Sequence, residues 1–178
     1  EKLLPLDHYE GIFQSWDTAY GTGDSHDYSA CTTWGLLKGK YHLLHVYRDR
    51  LEFPALKKSV LSLRKTWRPW IVVVEGYGSG ISLYQEIKST IGGNWIRKLN
   101  GATSKVDRAS QQTAKFERGD VVLPSNAEWL EEFQDELLAF PNGKHDDQVD
   151  SVVQFLAAVD TGNLLTGGNL HLSVRTLY

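Results

Sequence analysis

At 178 residues and 20.1 kDa, with 41% hydrophobic and 23% charged side chains, the chain has the size of one domain and an ordinary globular composition, which excludes collagen-like, disordered and disulfide-scaffold proteins. Its formal charge of −3 and pI near 6.1 exclude a module held on nucleic acid by a broad basic face, for which a pI above ~9 is usual. No apolar run approaches the ~18 residues of a membrane span, no charged-then-apolar N-terminus suggests a signal peptide, and the single cysteine, Cys31, can form neither an internal disulfide nor a cysteine-rich zinc site, as expected in a reducing cytoplasm.

The chain has no methionine and opens on Glu1, so we expect a piece of a longer protein. Residues 12–17 read as a strand, broken by turn residues over 20–27. Residues 28–37 and 41–47 follow as strands around a tight turn at Gly39, which makes an antiparallel meander of three. The period then changes: Leu56, Val60, Leu61 and Leu63 predict a helix over 53–67, with Pro54 suited to its first turn. Residues 70–74 are almost uninterruptedly apolar, the mark of a strand buried on both faces. Gly76, Gly78 and Gly80 predict a turn, 81–90 a second helix, and Trp95-Ile96 a short strand. A polar helix over 105–118, a short strand over 121–123 stopped by Pro124, and helices over 127–140 and 146–159 complete the pattern. The expected layout is one domain over 1–160 and a glycine-bearing tail over 161–178. This is an α/β order: three antiparallel strands, then parallel strands, in a central mixed sheet flanked by helices. It is also the order expected of a ribonuclease H-like sheet, while order alone leaves other mixed folds open.

Carboxylates fall at the ends of these elements. Asp17 ends the first strand and Glu75 the most apolar one; if those strands are neighbours, both side chains leave the same sheet edge. A carboxylate there is costly unless something binds it, and a divalent cation would do so. The third element is His145-Asp146-Asp147-Gln148-Val149-Asp150. On a helix, Val149, Val152, Val153 and Leu156 form one apolar stripe. Asp147 then points away from it, Asp150 lies on the flank of the same face as Asp147, and Asp146 lies nearer the buried side. Asp146 and Asp147 would equally serve as helix caps, and Asp17 would equally close a local turn.

Other motifs carry less. The glycine run before Ser79 lacks the Gly-Lys-Ser/Thr of a P-loop and the dinucleotide spacing, so no ATP site is expected. It reads as a turn that keeps space free beside Glu75, with Ser79 available to a phosphate at the next helix start. The histidines show no zinc-like spacing, and only His145, beside the acidic pair, is a candidate for tuning a water or a phosphate. Among the basic residues, Lys105 and Arg108 are the candidates for phosphate contact, because they follow the 101–104 loop.

Several of these segments carry a resemblance. Gln14-Ser15-Trp16-Asp17-Thr18-Ala19, Asp27-Tyr28-Ser29-Ala30, and Val73-Val74-Glu75 with Gly78-Ser79-Gly80 come first. Lys105-Val106-Asp107-Arg108-Ala109, Gly119-Asp120-Val121-Val122-Leu123-Pro124, and the block from Glu136 through Phe140-Pro141 and His145-Asp146-Asp147 to Ser151 follow in order. Over residues 10–160 the chain resembles the C-terminal nuclease domain of tailed-bacteriophage terminase large subunits.

The resemblance implies a ribonuclease H-like fold and metal-dependent cutting of double-stranded DNA during genome packaging. It implies Asp17, Glu75 and Asp147 as the catalytic, metal-binding triad for two Mg²⁺ or Mn²⁺ ions, with Asp146 and Asp150 as adjacent acidic positions. It further implies an N-terminal ATPase domain of the same protein, absent here, with portal protein and terminase small subunit as partners in the cytoplasm of a bacterial host. Little sequence specificity is expected, since no base-reading motif is present. Two alternatives stay open: a structure-selective nuclease like a Holliday-junction resolvase, and a non-catalytic DNA-clamping or docking module.

Overall fold

In the computed structural model of the chain, residues 2–19, 28–100, 105–162 and 164 are described. The expected turn at 20–27, the 101–104 loop and most of the expected tail lie outside the described residues. Six strands form one sheet: β1 (Gly11–Asp17), β2 (Ser29–Leu37), β3 (Lys40–Asp49), β4 (Ile71–Glu75), β5 (Ile96–Leu99) and β6 (Val121–Val122), in the order β5-β4-β1-β2-β3-β6. The β1–β2 and β2–β3 pairs are antiparallel, and β4 joins β1, β5 joins β4 and β6 joins β3 in parallel. The mixed sheet is flanked by helices α1 (Phe53–Trp67), α2 (Gly78–Ile91), α3 (Lys105–Glu117), α4 (Leu130–Ala139) and α5 (Asp147–Asp160).

The alternation along β4 explains its apolar run. Val72 and Val74 join Trp16, Cys31, Leu56, Val60, Leu83 and Ile87 in a core under α1 and α2. Ile71 and Val73 join Phe13, Trp34, Phe133, Val152 and Phe155 in a second core under α4 and α5. A strand with helices on both faces has no solvated side on which polar residues could stand. The second core is anchored by Phe155, whose ring stacks on Trp34 at 4.6 Å and 7°. Leu164, within the expected tail, is buried in this core.

Two helix starts differ from expectation. The second helix begins at Gly78, so the glycine run expected as a turn forms part of its first turn. The fourth begins at Leu130 rather than 127, after the Trp129 cap position. On this helix Phe133 and Glu136 are buried, whereas Leu138 stands 83% exposed.

Candidate active site

The parallel register of β1 and β4 runs Phe13↔Ile71 to Trp16↔Val74, so Asp17 and Glu75 follow side by side as the two strands end. Glu75 is buried, and its Oε1 accepts hydrogen bonds from the Thr18 backbone N–H at 2.9 Å and from the Thr18 hydroxyl. That hydroxyl in turn lies 2.9 Å from Ser79 Oγ, which also donates to main-chain oxygens of Thr18 and Ala19. Ser79 thus ties the first turn of α2 to the end of β1. The glycines around it serve close approach. A Cβ on Gly80 would stand 2.5 Å from the Glu75 carbonyl oxygen and 2.6 Å from its Cγ, and one on Gly76 would stand 1.9 Å from Asn100 Oδ1.

Asp17 is held well above the ordinary carboxyl range, first by burial and then by the neighbouring charges of Glu75 and Asp150, with Lys105 opposing. The third acidic element is the start of α5. Here the expected orientation is reversed at one position. Asp146 is the more accessible carboxylate, its side chain 41% exposed, while Asp147 and Asp150 are buried. The single-stripe helical wheel fails because α5 is enclosed on nearly every side. Its apolar stripe faces the second core, and its other side packs on the sheet through hydrogen bonds. Ser151 Oγ donates to the Ser15 carbonyl at 2.8 Å, and Gln154 Nε2 donates to Ser15 Oγ and the Trp16 carbonyl at 3.0 Å each. Asp147 and Asp150 precede Ser151 and Gln154 on that polar side and so are carried to the ends of β1 and β4.

The Asp146 side chain, at the cap position of the helix, makes no cap bond and pairs instead with Lys105 Nζ at 3.1 Å. Lys105 also pairs with Asp150, and although burial works against its charge, these two carboxylates raise its pKa. Arg108, one turn further along α3, opposes the upward shifts that burial imposes on Asp150 and Tyr77. Asp147 is pushed up to about 6 from 3.8, by burial first and the Glu136 charge second. Its Oδ2 is buried with no hydrogen-bond partner and lies 4.0 Å from Arg48 Nη2.

Asp17, Glu75, Asp146 and Asp147 therefore line one cleft of about 230 Å³, with Lys105 and His145 on its rim. Asp150 lies beside it, joined through Lys105. Ser79 is engaged behind Thr18, and Lys105 is engaged by carboxylates. Among the described residues, no three His, Cys, Asp or Glu side chains converge closely enough to surround one ion by themselves.

Sequence reasoning missed two residues that shape this site. Glu136 sits on the packed face of α4 and accepts hydrogen bonds from the first turn of α5. Arg48, near the end of β3, spans Glu132, Glu136 and Asp147 with its guanidinium 3.8 Å over the Tyr28 ring. The available signal for Glu136 was a carboxylate three residues after Phe133, on the helix stripe that should be apolar.

Comparison with curated proteins finds no match. Solved structures share the fold. The large terminase nuclease from thermophilic phage G20c, with bound zinc, is 21% identical with a TM-score of 0.64, covering 82% of this chain and 80% of that one. The human cytomegalovirus terminase nuclease domain, Mn-soaked and inhibitor-bound, is 10% identical with a TM-score of 0.61, covering 87% and 86%. The large terminase of a second thermophilic bacteriophage is 16% identical with a TM-score of 0.63, covering 85% of this chain but only 40% of its own length. The family described as the terminase RNaseH-like domain matches residues 14–158, and the chain belongs to it.

Proposed function

We propose that this domain is a metal-dependent endonuclease of a DNA-packaging terminase, which cuts double-stranded DNA with little sequence specificity using two Mg²⁺ or Mn²⁺ ions. One observation carries the reading: Asp17 and Glu75, at the ends of two adjacent buried strands, share a cleft with Asp147, whose buried Oδ2 has no hydrogen-bond partner. Carboxylates so placed are costly to the fold, and the buried Asp147 oxygen has no hydrogen bond that offsets its burial.

The donor set fits the ions. The groups facing the cleft are hard carboxylate oxygens, and Mg²⁺ takes only one or two carboxylates while keeping waters and substrate phosphate oxygens. The lack of a closed three-ligand cluster among the described residues therefore agrees with an ion that is completed by DNA. Related domains of this fold carry zinc, magnesium or manganese. Asp17, Glu75 and Asp147 would hold the ions, with Asp146 and Asp150 as flanking acids.

Ions bound there supply Lewis acidity, lowering the pKa of a bound water and offsetting negative charge at the reacting phosphate. The chain's own residues do the rest. Thr18 fixes Glu75 by two hydrogen bonds, and Ser79 fixes Thr18. Lys105 pairs with both Asp146 and Asp150 and offsets part of their charge beside the acidic cleft of Asp17, Glu75 and Asp147. Lys144, which lines the cleft, and Arg108, whose charge is felt by Asp150, would meet the DNA backbone.

The longer thermophilic-phage terminase, of which this chain spans about two fifths, has been solved with ATP-γ-S. By analogy, this domain works beside an ATPase domain of the same protein, with portal and small subunit, in the cytoplasm of a bacterial host. Cleavage of supercoiled plasmid with Mg²⁺, with Mn²⁺ and in EDTA, beside folded Asp17→Asn and Asp147→Asn variants, tests the reading. Expected is metal-dependent nicking and linearisation, lost at least a hundredfold in both variants. Retained DNA binding with no cutting under any condition would leave a clamp, and preference for four-way junctions over linear duplex would leave a resolvase.

A further inference from the structure

The first four backbone N–H groups of a helix have no partner within it, and a side chain at the cap position usually satisfies one or two. In α5 that position is Asp146, whose side chain makes no such bond. The donors are satisfied from another helix. Glu136 of α4 accepts at Oε1 from the backbone N–H of Gln148 at 2.7 Å and of Val149 at 3.2 Å, while its Oε2 accepts from Gln148 Nε2 at 2.6 Å. Glu136 and Gln148 are both buried. Arg48 Nη1 pairs with Glu132 and lies 3.6 Å from Glu136 Oε2, and its other nitrogen, Nη2, lies 4.0 Å from Asp147 Oδ2.

We infer that Glu136 is a positioning residue for the metal carboxylates, with Arg48 as its brace: a cap supplied by α4 fixes the first turn of α5, and so the place of Asp147 and Asp150. The inference rests on the nuclease reading above. Three features carry it. Both Glu136 oxygens are consumed by α5 donors, so this acid is a support and not a ligand. Its negative charge faces the helix N-terminus, where it is favourable. The cap is delivered across elements, which leaves Asp146 to Lys105 and leaves Asp147 Oδ2 without a hydrogen-bond partner in the cleft. Partners that orient ligands in this way typically affect metal affinity by roughly ten- to a hundredfold.

The test compares the 178-residue chain with Glu136→Ala, Glu136→Asp and Lys115→Ala variants. Lys115 binds Asp160 at 2.7 and 2.8 Å at the far end of α5, so its loss weakens the same helix away from the cleft. Two readouts are made: Mn²⁺ affinity by calorimetry, and amide hydrogen exchange of Gln148 and Val149 in EDTA. Glu136→Ala is expected to lose about tenfold or more in Mn²⁺ affinity and to exchange faster at both amides. Glu136→Asp keeps the charge but not the reach, and is expected to lose severalfold; it carries the test if the alanine variant does not fold. Lys115→Ala is expected to melt at a lower temperature with Mn²⁺ affinity unchanged.

Unchanged affinity in the Glu136 variants, or an equal loss in Lys115→Ala, overturns the positioning role. A wild-type chain that neither binds Mn²⁺ nor cleaves DNA overturns the nuclease reading and this inference with it. The two failures are therefore distinguishable by the wild type alone.

Discussion

Asp17 and Asp147 are held toward their protonated forms, the first well above 3.8 and the second to about 6, in both cases chiefly by burial. An acid whose pKa is raised on folding binds its proton more tightly in the native state than in the unfolded chain. The native state is then favoured below the unfolded value of 3.8, and that advantage is lost as pH rises through the folded value near 6. Without metal, the contribution of Asp147 to stability falls as pH rises from 3.8 through about 6, and that of Asp17 falls as pH rises through its own raised value. At pH 7, Asp147→Asn should raise stability in EDTA by about 1–3 kcal/mol, each pKa unit being worth ~1.4 kcal/mol. Thermal unfolding over pH 5–8, with EDTA and with Mn²⁺, checks this. Mn²⁺ should reverse the slope for the wild type, and in EDTA the variant should lose less stability than the wild type as pH rises through about 6, whereas a wild type that gains stability with pH in EDTA would contradict it. Asp17 and Glu75 were legible in the sequence because each closes an apolar strand, where an unbound charge is costly. Glu136 was not: its partners are backbone amides twelve and thirteen residues away, and nothing in local periodicity marks them.

At the scale of elements, the first turn of α2 is pressed against the end of β4 through glycine. A Cβ at Gly80 would meet a main-chain oxygen of Glu75 at 2.5 Å, an atom that cannot rotate away. Gly80→Ala should therefore cost about 1–3 kcal/mol, the range for overpacking a tight contact, and should displace Glu75 from Thr18. The expected result is a lower urea midpoint and a Mn²⁺ affinity reduced at least tenfold; full affinity would mean that α2 shifts without moving the carboxylate. This contact also explains a misplaced boundary. Glycines ahead of a helix ordinarily read as a turn, yet here they are inside it because only a missing side chain permits the approach. Elements packed on both faces were the easiest to read, β4 above all, since burial leaves a continuous apolar run. The start of α5 was the hardest. Its polar residues Ser151 and Gln154 serve the main chain of β1 rather than solvent, so a wheel with one apolar stripe misjudges which acids are buried.

For the whole molecule, charge would decide how the proposed DNA substrate is held. The chain carries −3, and two of the cations near the cleft, Arg48 and Lys105, are already ion-paired with carboxylates. Phosphate must then approach an acidic cleft with few uncommitted positive groups, among them Arg50, which lies over the Tyr28 ring, and Lys144 at the rim. The salt dependence of duplex binding falls by ~0.9 log units per log unit of salt for each phosphate neutralised, so a small number of contacts gives a shallow slope. In EDTA, binding of a short duplex followed by fluorescence anisotropy should be weak, with a slope no steeper than about −4 on that scale. Ca²⁺, which occupies oxygen sites of this kind, should tighten binding about tenfold or more by replacing repulsion with attraction at the cleft. Asp17→Asn should blunt the effect of Ca²⁺, because it removes one of the oxygens that would hold the ion, and should tighten binding in EDTA at a pH where Asp17 is ionised. A steep slope in EDTA, insensitive to both Ca²⁺ and Asp17→Asn, would place the DNA on another face of the molecule. The cleft would then be reached only after the duplex had been bound elsewhere.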